Sequence, residues 1–324
     1  MCTAISWHAK NHYFGRNLDL EYHYDETVTI TPRSFPLTFR MAPANHSHFA
    51  WIGMATLAGE YPLYYDGTNE QGLSVAALNF PGNAVYLSPS CNMINIAPFE
   101  VIPWILCQCK SVRDTKVVLE NTNITSIKFS DAWPLTPLHW IVADKRESIV
   151  VEPTITGLNI YDDPVGVLTN NPPFDYHMHN LCNYLGLSNE EPVNRLSNEV
   201  VLKPYSRGMG AMGLPGDLSS ASRFIKATFT KLNAEKSAND TDNVGQFFHI
   251  LGSVEQQSGC VRIHDGFERT VYTSCCDTDN GIYYYTTYEN QQITAIRMTP
   301  QTIESEKLSA FPLRRRQCIY FENA

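Results

Sequence analysis

MCTAISWHAKNHYFGRNLDL, residues 1–20, opens the chain. Residues 2–8 mix apolar and polar side chains as a strand does, and residues 12–17 return as a second strand. Between them, Ala9-Lys10-Asn11 supplies the turn. This stretch therefore predicts a β-hairpin whose first strand starts at the second residue of the chain.

The register of this hairpin has two solutions. A two-residue turn places Cys2 opposite Asp19, whereas a three-residue turn places Cys2 opposite Leu18, with Arg16 on the same face. The pattern alone does not choose between them. Both registers bring a cation and a carboxylate close to the amino terminus. Arg16 would stabilise a thiolate, and Asp19 would hold and orient an α-ammonium group.

Further strands follow along the chain. Residues 138–143 and 149–152 flank a polar stretch and predict a second hairpin, and residues 72–80 form an apolar run typical of a strand buried on both faces. The remaining predicted strands cover residues 28–32, 158–161, 165–169, 270–276, 282–288 and 293–298, with the last three as a meander.

Helices are predicted between these groups of strands. They cover residues 98–109 with a kink or break at Pro103, 111–121 behind a Ser111 cap, 220–232 and 242–255. Hairpins favour antiparallel sheets, and helices must cover their faces. We therefore expect an α+β fold, a four-layer αββα sandwich of two antiparallel sheets flanked by helices, in one domain over residues 1–324. The irregular residues 183–217 predict a substrate loop or an oligomer contact.

Composition limits the classes of function. The 324 residues include 24 Lys+Arg and 33 Asp+Glu, a net charge of −9, which disfavours a nucleic-acid partner. No apolar run approaches the roughly 18 residues of a membrane span, and the opening residues lack an apolar signal core. We therefore expect a cytoplasmic protein without membrane contact. An odd number of cysteines, nine, argues against a disulfide framework, and Cys107-x-Cys109 and His177-x-His179 do not match zinc spacings.

Cys2 is the most informative position. Removal of Met1 is favoured when the next side chain is small, and it would make Cys2 the terminal residue. A terminal cysteine carries a thiol with a pKa of about 8.5 and an α-amine with a pKa of about 7.7–8.0. The amine can take the thiol proton near neutral pH, so one residue supplies both nucleophile and base. The alternative is a cysteine that merely follows the start codon.

Eight stretches give the chain a family resemblance. In order from end to end they are MCTAI, YFGRNLD, GLSVAALNFPGNA, PFEVIPWIL, LHWIVADKRESIVVE, GVLTNNPPFDYH, GLPGDLSSASRF and QFFHILGSVEQ. Together they resemble the choloylglycine hydrolase family, whose fold is similar to that of the N-terminal nucleophile hydrolases. The resemblance implies hydrolysis of the amide bond of glycine- and taurine-conjugated bile salts, with no metal or organic cofactor, by a homotetramer.

The resemblance also implies six catalytic positions, namely Cys2 as nucleophile, the polar pair Arg16 and Asp19, Asn79 beside the oxyanion, Asn170 as a second amide, and Arg223. The side-chain amide of Asn79 would donate to a developing oxyanion. Arg223 falls near the start of a predicted helix, where a cation meets the unfavourable end of the dipole. A specific partner is therefore expected for it, such as Asp19, Asn170 or the surroundings of Cys2.

A steroid substrate requires an apolar slot with few polar contacts. The candidate walls are Leu20, Tyr24, Tyr65, Phe80, Trp133 and Leu135. Two alternatives stay open: a penicillin V or other N-acyl amide hydrolase, and a bile-salt binder without turnover. Penicillin V acylases of the family often carry Tyr at the position of Asn79, which favours bile salts. His139 and Trp140 are predicted as core residues, and residues 314–316, all arginine, as a solvated or oligomer-contact run.

Overall fold

The computed structural model describes residues 1–263 and 266–323. Its strands, in chain order, are β1 (Cys2–His8), β2 (His12–Leu20), β3 (Thr27–Thr31), β4 (Trp51–Ala58), β5 (Tyr61–Tyr64), β6 (Asp66–Asn69), β7 (Ser74–Asn79), β8 (Ile94–Ile96), β9 (Thr122–Ile124), β10 (Leu138–Ala143), β11 (Ser148–Thr154), β12 (Gly157–Asp162), β13 (Val167–Leu168), β14 (Val261–Ile263), β15 (Gly266–Asp277), β16 (Ile282–Thr287), β17 (Asn290–Arg297) and β18 (Ser309–Pro312). Its α-helices are α1 (Val101–Leu106), α2 (Val112–Glu120), α3 (Phe174–Leu181), α4 (Ser220–Asn233), α5 (Asp240–Gly252) and α6 (Pro300–Ile303).

The first sheet contains the opening hairpin at its centre. Its strand order is β13-β1-β2-β15-β16-β17, and β14 pairs with β15. Cys2 pairs with Leu18, and residues 9–11 connect the two strands, so the three-residue turn is the one adopted. β15, β16 and β17 form the predicted meander at the other side of β2.

The second sheet has the strand order β12-β11-β10-β7-β6-β4-β3-β18, with β5 paired to β4. The predicted hairpin is β10 and β11, and the predicted doubly buried strand is β7, which lies between β10 and β6. β4, β5 and β6 lie in a stretch where no strand was predicted. Pro62 interrupts the alternation there, and β5 accommodates it because β5 pairs only with β4 among the described residues.

The sheets stack face to face and carry helices on their outer faces. α4 and α5 pack against β1, β2, β13 and β15 of the first sheet, whereas α1 packs against β6 and β7 of the second. One buried apolar cluster joins the sheets to α4 and α5 and includes Phe224 and Phe247. Another, which includes Trp51 and Ile105, fills the space between the second sheet and α1. The predicted α+β, four-layer αββα sandwich is confirmed.

Local sequence explains where most helices begin. The side-chain oxygen of Ser111 accepts a 3.2 Å hydrogen bond from the backbone N–H of Asp114, and Asn239 caps α5 in the same way. The helix predicted over residues 98–109 changes two residues before Pro103, where a 3-10 turn at Pro98–Glu100 gives way to α1. Pro103 lies in the first turn of α1, where its missing N–H would have no intrahelical partner in any case.

Residues 183–217 are largely irregular, as predicted, apart from short 3-10 turns at Cys182–Tyr184 and Met209–Ala211. Several large apolar side chains of this segment are exposed, namely Leu185, Val193, Leu196, Val201, Tyr205 and Met212. None of the helices in the described part of the chain combines the length and the apolar character needed to span a bilayer.

Candidate active site

Cys2 is the first residue of β1, between β13 and β2, and its side chain is buried at the base of a cleft. Its backbone N–H donates a 2.7 Å hydrogen bond to Oδ1 of Asn170. Its carbonyl oxygen accepts a 2.5 Å hydrogen bond from Nη1 of Arg223. The backbone of Cys2 is therefore held on both sides by polar side chains from distant parts of the chain.

Asn170 connects the Cys2 backbone to the end of β7. While its Oδ1 accepts from Cys2, its Nδ2 donates a 2.7 Å hydrogen bond to the carbonyl oxygen of Asn79. Its own backbone is fixed by the hydroxyl of Ser220, which accepts the N–H at 2.8 Å, and by Nε2 of His177, which donates to the carbonyl at 2.9 Å. The orientation of the side-chain amide is set by its neighbours, because its oxygen faces a donor and its nitrogen faces an acceptor.

Arg223 is fully buried on α4 and has the specific partners that its position predicts. Nη2 donates to Oδ1 of Asn170 at 2.8 Å, and Nη1 donates to the hydroxyl of Thr3 at 2.6 Å as well as to Cys2. Nη1 also lies 4.0 Å from Oδ2 of Asp19. Burial lowers the pKa of Arg223 and raises the pKa of Asp19, and each group's charge opposes the shift of the other.

Arg16 lies at the base of the same cleft and is fully buried. Nη1 donates to the carbonyl oxygens of Tyr65, at 2.9 Å, and Ala77, whereas Nε and Nη2 have no hydrogen-bond partner within residues 1–263 and 266–323. Burial alone would lower the pKa of Arg16, but the negative forms of neighbouring groups, Cys2 first among them, raise it overall. Arg16 thus presents a permanent positive charge toward Cys2.

Thr270 is a site residue that the sequence analysis missed. It stands opposite Asp19 in the β2–β15 pair, and its hydroxyl donates a 2.6 Å hydrogen bond to Oδ1 of Asp19. Oδ2 of Asp19 has no hydrogen-bond partner among the described residues. Only the pairing of β2 with β15, a contact between the two ends of the chain, could have indicated this partner.

Met1 is present in the structure and precedes Cys2. Its amino group donates a 2.9 Å hydrogen bond to the carbonyl oxygen of Asp19 and forms an ion pair with Glu268. Burial lowers the pKa of this amino group. The nitrogen of Cys2 is an amide nitrogen in this form of the chain, and it becomes an α-amine only when Met1 is removed.

The cleft above Cys2 has a volume of about 430 Å³, within the range of small-molecule sites. Five of the predicted wall residues line it, namely Leu20, Tyr24, Tyr65, Trp133 and Leu135, and Asn79 lies at its base. Apolar and aromatic side chains that were not predicted complete the lining, including Leu18, Tyr22, Leu63, Phe99, Ile102, Ile127, Phe129 and Leu138. Half of them come from segments for which the local sequence gave no functional signal, namely Tyr22, Leu63, Ile127 and Phe129.

Phe80 does not line the cleft, contrary to the expectation for it. Its ring is fully buried and stacks on His139, with centroids 4.3 Å apart. His139 is the core residue that was predicted, because its two ring nitrogens contact Glu152 at 2.9 Å and the Thr169 carbonyl at 3.0 Å. The chain turns after Asn79, so Phe80 points into the packed interior while its neighbour remains at the cleft.

Comparison with known proteins agrees with this architecture. A family model described as linear amide C–N hydrolases, choloylglycine hydrolase family, matches residues 2–311. The chain is 52% identical over 324 residues to the bile salt hydrolase/transferase of Lactiplantibacillus plantarum, and 38% identical over 333 residues to that of Clostridium perfringens, with 100% of both chains covered each time.

Solved structures give the same result. The C2A mutant of the conjugated bile acid hydrolase from Clostridium perfringens matches with a TM-score of 0.91 at 36% identity, covering 100% of both chains. Penicillin V acylase from Agrobacterium tumefaciens matches with a TM-score of 0.74 at 17% identity, covering 95% of this chain and 90% of that one, and so shares the fold.

The stacked sheets and the cysteine-based cleft, together with these matches, define an amidohydrolase that acts on linear C–N amides, with the fold of the N-terminal nucleophile hydrolases. The chain belongs to the choloylglycine hydrolase family.

Proposed function

We propose that this chain hydrolyses the amide bond of glycine- and taurine-conjugated bile salts in the cytoplasm, with Cys2 as an N-terminal nucleophile. One observation carries the proposal: Cys2 lies at the base of a largely apolar cleft, and its backbone nitrogen is already held 2.7 Å from Oδ1 of Asn170. The names of its relatives, bile salt hydrolase/transferase and conjugated bile acid hydrolase, support the substrate class.

The nucleophile forms when Met1 is removed. The α-amine of Cys2 takes the proton of its thiol, directly or through a water, and Arg16 stabilises the resulting thiolate. Asn170 accepts a hydrogen bond from the amine and orients it, since its Oδ1 already contacts the same nitrogen. Asp19 and Arg223 contribute the charges that surround this group.

Acylation begins when the thiolate attacks the amide carbonyl carbon of the bile salt. The C=O electron pair moves to oxygen, and the side-chain amide of Asn79 and a backbone N–H stabilise the oxyanion. As the oxyanion collapses, the C–N bond breaks and the α-ammonium of Cys2 gives its proton to the departing nitrogen. Glycine or taurine leaves, and a cholyl thioester remains on the sulfur.

Deacylation uses the same groups, with a water in the place of the amine that departed. The α-amine takes a proton from a water, whose oxygen attacks the thioester carbonyl. The tetrahedral intermediate then expels the sulfur, which recovers the proton, and the free bile acid departs. No other reactant is needed, and Cys2 returns to its starting state.

The cleft supports a steroid as the acyl group. Leu20 and Leu135 are aliphatic, and the rings of Tyr24 and Trp133 lie with centroids 5.5 Å apart. Such walls suit a flat, rigid, apolar ring system better than a flexible polar chain. A slot closed at its base by Cys2 would direct the amide at the end of the steroid side chain toward the sulfur.

Intact mass spectrometry of the purified chain tests the proposal directly. The mass without substrate should lack one methionine, and a rapid acid quench during turnover of taurocholate should trap an adduct of one cholyl group. Cys2→Ala is the matched control and should give neither adduct nor free taurine. A working enzyme that retains Met1, or taurine release by Cys2→Ala, would overturn the mechanism. Faster hydrolysis of penicillin V than of taurocholate at equal concentration would instead contradict the assignment of bile salts as the substrate.

We also propose that residues 183–217 form a contact between copies in a homotetramer. The apolar side chains of Leu185, Leu196, Val201 and Tyr205 are exposed at more than half of their surface, and exposed apolar area of this kind favours association. Light scattering of the intact protein should give the mass of four chains, and Leu196→Glu with Val201→Glu should reduce it. A monomeric mass for the unaltered chain would contradict the proposal.

A further inference from the structure

Arg315 is the middle residue of the arginine run near the carboxyl end of the described chain, and it is paired with a buried carboxylate. Its Nη2 lies 3.0 Å from Oε2 of Glu26, whose side chain has no exposed surface. Strand pairing brings the two together, because β18 runs antiparallel to β3 with Pro312 opposite Thr27. The arginine run at residues 314–316 is therefore not only a solvated surface, because Arg315 forms an ion pair with the buried side chain of Glu26.

The backbone before Arg315 is also held in place. The N–H of Arg314 donates a 2.9 Å hydrogen bond to the hydroxyl of Tyr285, and its carbonyl accepts one of 2.9 Å from Nδ2 of Asn290. Tyr285 and Asn290 belong to β16 and β17 of the first sheet. The segment after β18 thus connects the two sheets, and it places the Arg315 guanidinium beside Glu26.

Glu26 in turn holds the segment that precedes β3. Its Oε1 accepts a 2.9 Å hydrogen bond from the backbone N–H of Tyr24, and its Oε2 lies 3.5 Å from Nδ1 of His23. Between Tyr24 and Glu26, Asp25 has a φ of 56°, in the left-handed region that non-glycine residues rarely adopt. A turn of this kind persists where surrounding contacts over-determine it, and the Glu26 carboxylate supplies such a contact.

Tyr24, like Tyr22, is a residue of this segment that lines the cleft. Its ring lies 5.5 Å from that of Trp133, and its hydroxyl donates a 3.1 Å hydrogen bond to the hydroxyl of Tyr22. Its carbonyl accepts a 2.9 Å hydrogen bond from Oγ1 of Thr56, which is also 2.9 Å from the hydroxyl of Tyr65. The two polar backbone groups of Tyr24 are therefore held by Glu26 on one side and Thr56 on the other.

We propose that Glu26 is a positioning residue that sets the wall formed by Tyr24, and that the contact with Arg315 holds the Glu26 side chain in place. The inference rests on the proposed function, because it assigns the wall to recognition of the steroid. A buried carboxylate is costly to leave without a partner, and the guanidinium of Arg315, outside the cleft, supplies one for Glu26. Substrate selection at the Tyr24 wall then depends on a residue almost three hundred positions away in the sequence.

Arg315→Gln tests the inference, because it removes the cation from a partly exposed side chain and leaves the core intact. For taurocholate, KM should rise about tenfold while kcat stays within about twofold, as expected for the loss of one charge-assisted contact that shapes binding. Arg315→Lys should recover part of the change. Arg314→Gln and Arg316→Gln are the matched controls and should leave both parameters unchanged. An Arg315→Gln variant that behaves like these controls would overturn the inference.

Hydrogen exchange gives a readout that needs no substrate. In Glu26→Gln and Arg315→Gln, the peptide covering residues 21–27 should exchange faster than in the unaltered protein, while the peptides of β7 stay protected. If this exchange increases and neither the unaltered protein nor any variant hydrolyses bile salts, then the proposed function is wrong and the positioning contact stands. If bile salts are hydrolysed normally and the exchange is unchanged in both variants, the positioning role is wrong.

Discussion

The side-chain oxygen of Asn170 lies 2.7 Å from the backbone nitrogen of Cys2, although 168 residues separate them in the sequence. In the proposed mechanism this nitrogen becomes the catalytic base after removal of Met1. Asn170 therefore already contacts the atom that would act as the base. The fold fixes the position of this oxygen, because Nη2 of Arg223 donates a 2.8 Å hydrogen bond to it as well.

Asn170→Asp should change the pH dependence of hydrolysis. A carboxylate in contact with the α-amine would raise the pKa of that amine by about 1–3 units, and the base must be neutral to act. The acidic limb of the kcat/KM profile should therefore move to higher pH. Asn170→Ala should lower the rate at every pH without moving this limb. If the acidic limb lies at the same pH in Asn170→Asp and in the unaltered enzyme, the α-amine beside residue 170 is not the catalytic base.

Asn79→Ala should slow acylation by about 10²- to 10³-fold, the usual loss when one oxyanion donor is removed. KM for taurocholate should change little, because the donor acts mainly on charge that develops in the transition state. Steady-state measurement of kcat and KM for Asn79→Ala and for the unaltered protein checks both expectations. Asn83→Ala, in the following turn, serves as the control. A tenfold rise in KM with unchanged kcat would instead indicate a binding role for Asn79.

Retention of Met1 should abolish turnover without unfolding the protein. A lysine inserted between Met1 and Cys2 blocks removal of the methionine and leaves the nearest free amine on the wrong residue. Circular dichroism should be unchanged, and release of taurine should be undetectable. A protease that cuts directly before Cys2 should restore activity. Turnover by the uncut protein would show that the base lies elsewhere.

Stability should fall in acid partly because of His12, which is buried and contacts Ser6 at 2.8 Å and Thr278 at 3.0 Å. Burial, followed by the neighbouring His8, lowers the pKa of His12 from 6.5 to about 4. Because the folded pKa is the lower one, the stabilisation is present above pH 6.5 and is lost as the pH falls toward 4. The loss should be about 3 kcal/mol at most.

His12→Gln should therefore lose less Tm between pH 7 and pH 4.5 than the unaltered protein, whatever its Tm at pH 7. His46→Gln, at an exposed histidine, should keep the full loss and is the control. Equal losses in all three proteins would show that His12 does not set this part of the acid response.

The sequence predicted the layers of the fold better than the register at its centre. Alternation and turn residues identify the strands of the opening hairpin, but Ala9-Lys10-Asn11 suits two turn lengths equally well. The strand that returns from this turn is also packed tightly against its other neighbour. With Cys2 opposite Leu18, Gly15 lies against β15 so closely that a Cβ would be 2.0 Å from the Ser274 carbonyl oxygen. That requirement comes from the far end of the chain, which no local pattern contains.

The walls of the cleft show a second limit of sequence analysis. Leu20 and Tyr24 were predicted because they lie in or near a presumed loop, and both line the cleft. Phe80 was expected in the wall because it lies near a presumed loop, yet its ring stacks on His139 in the interior. Ile127 and Phe129 reach the cleft from another segment and carry no local mark of function. The direction of a side chain after the end of a strand depends on tertiary packing, which spacing does not encode.

The position of Cys2 as the first residue of an interior strand has a practical consequence for anyone preparing the protein. β1 is hydrogen-bonded on both sides, by β13 and β2, and begins in the buried base of the cleft. An affinity tag fused ahead of Cys2 would have to emerge through this crowded space and would replace the free amine. Purification handles therefore belong at the opposite terminus, or in a leader that is cut away to leave cysteine first.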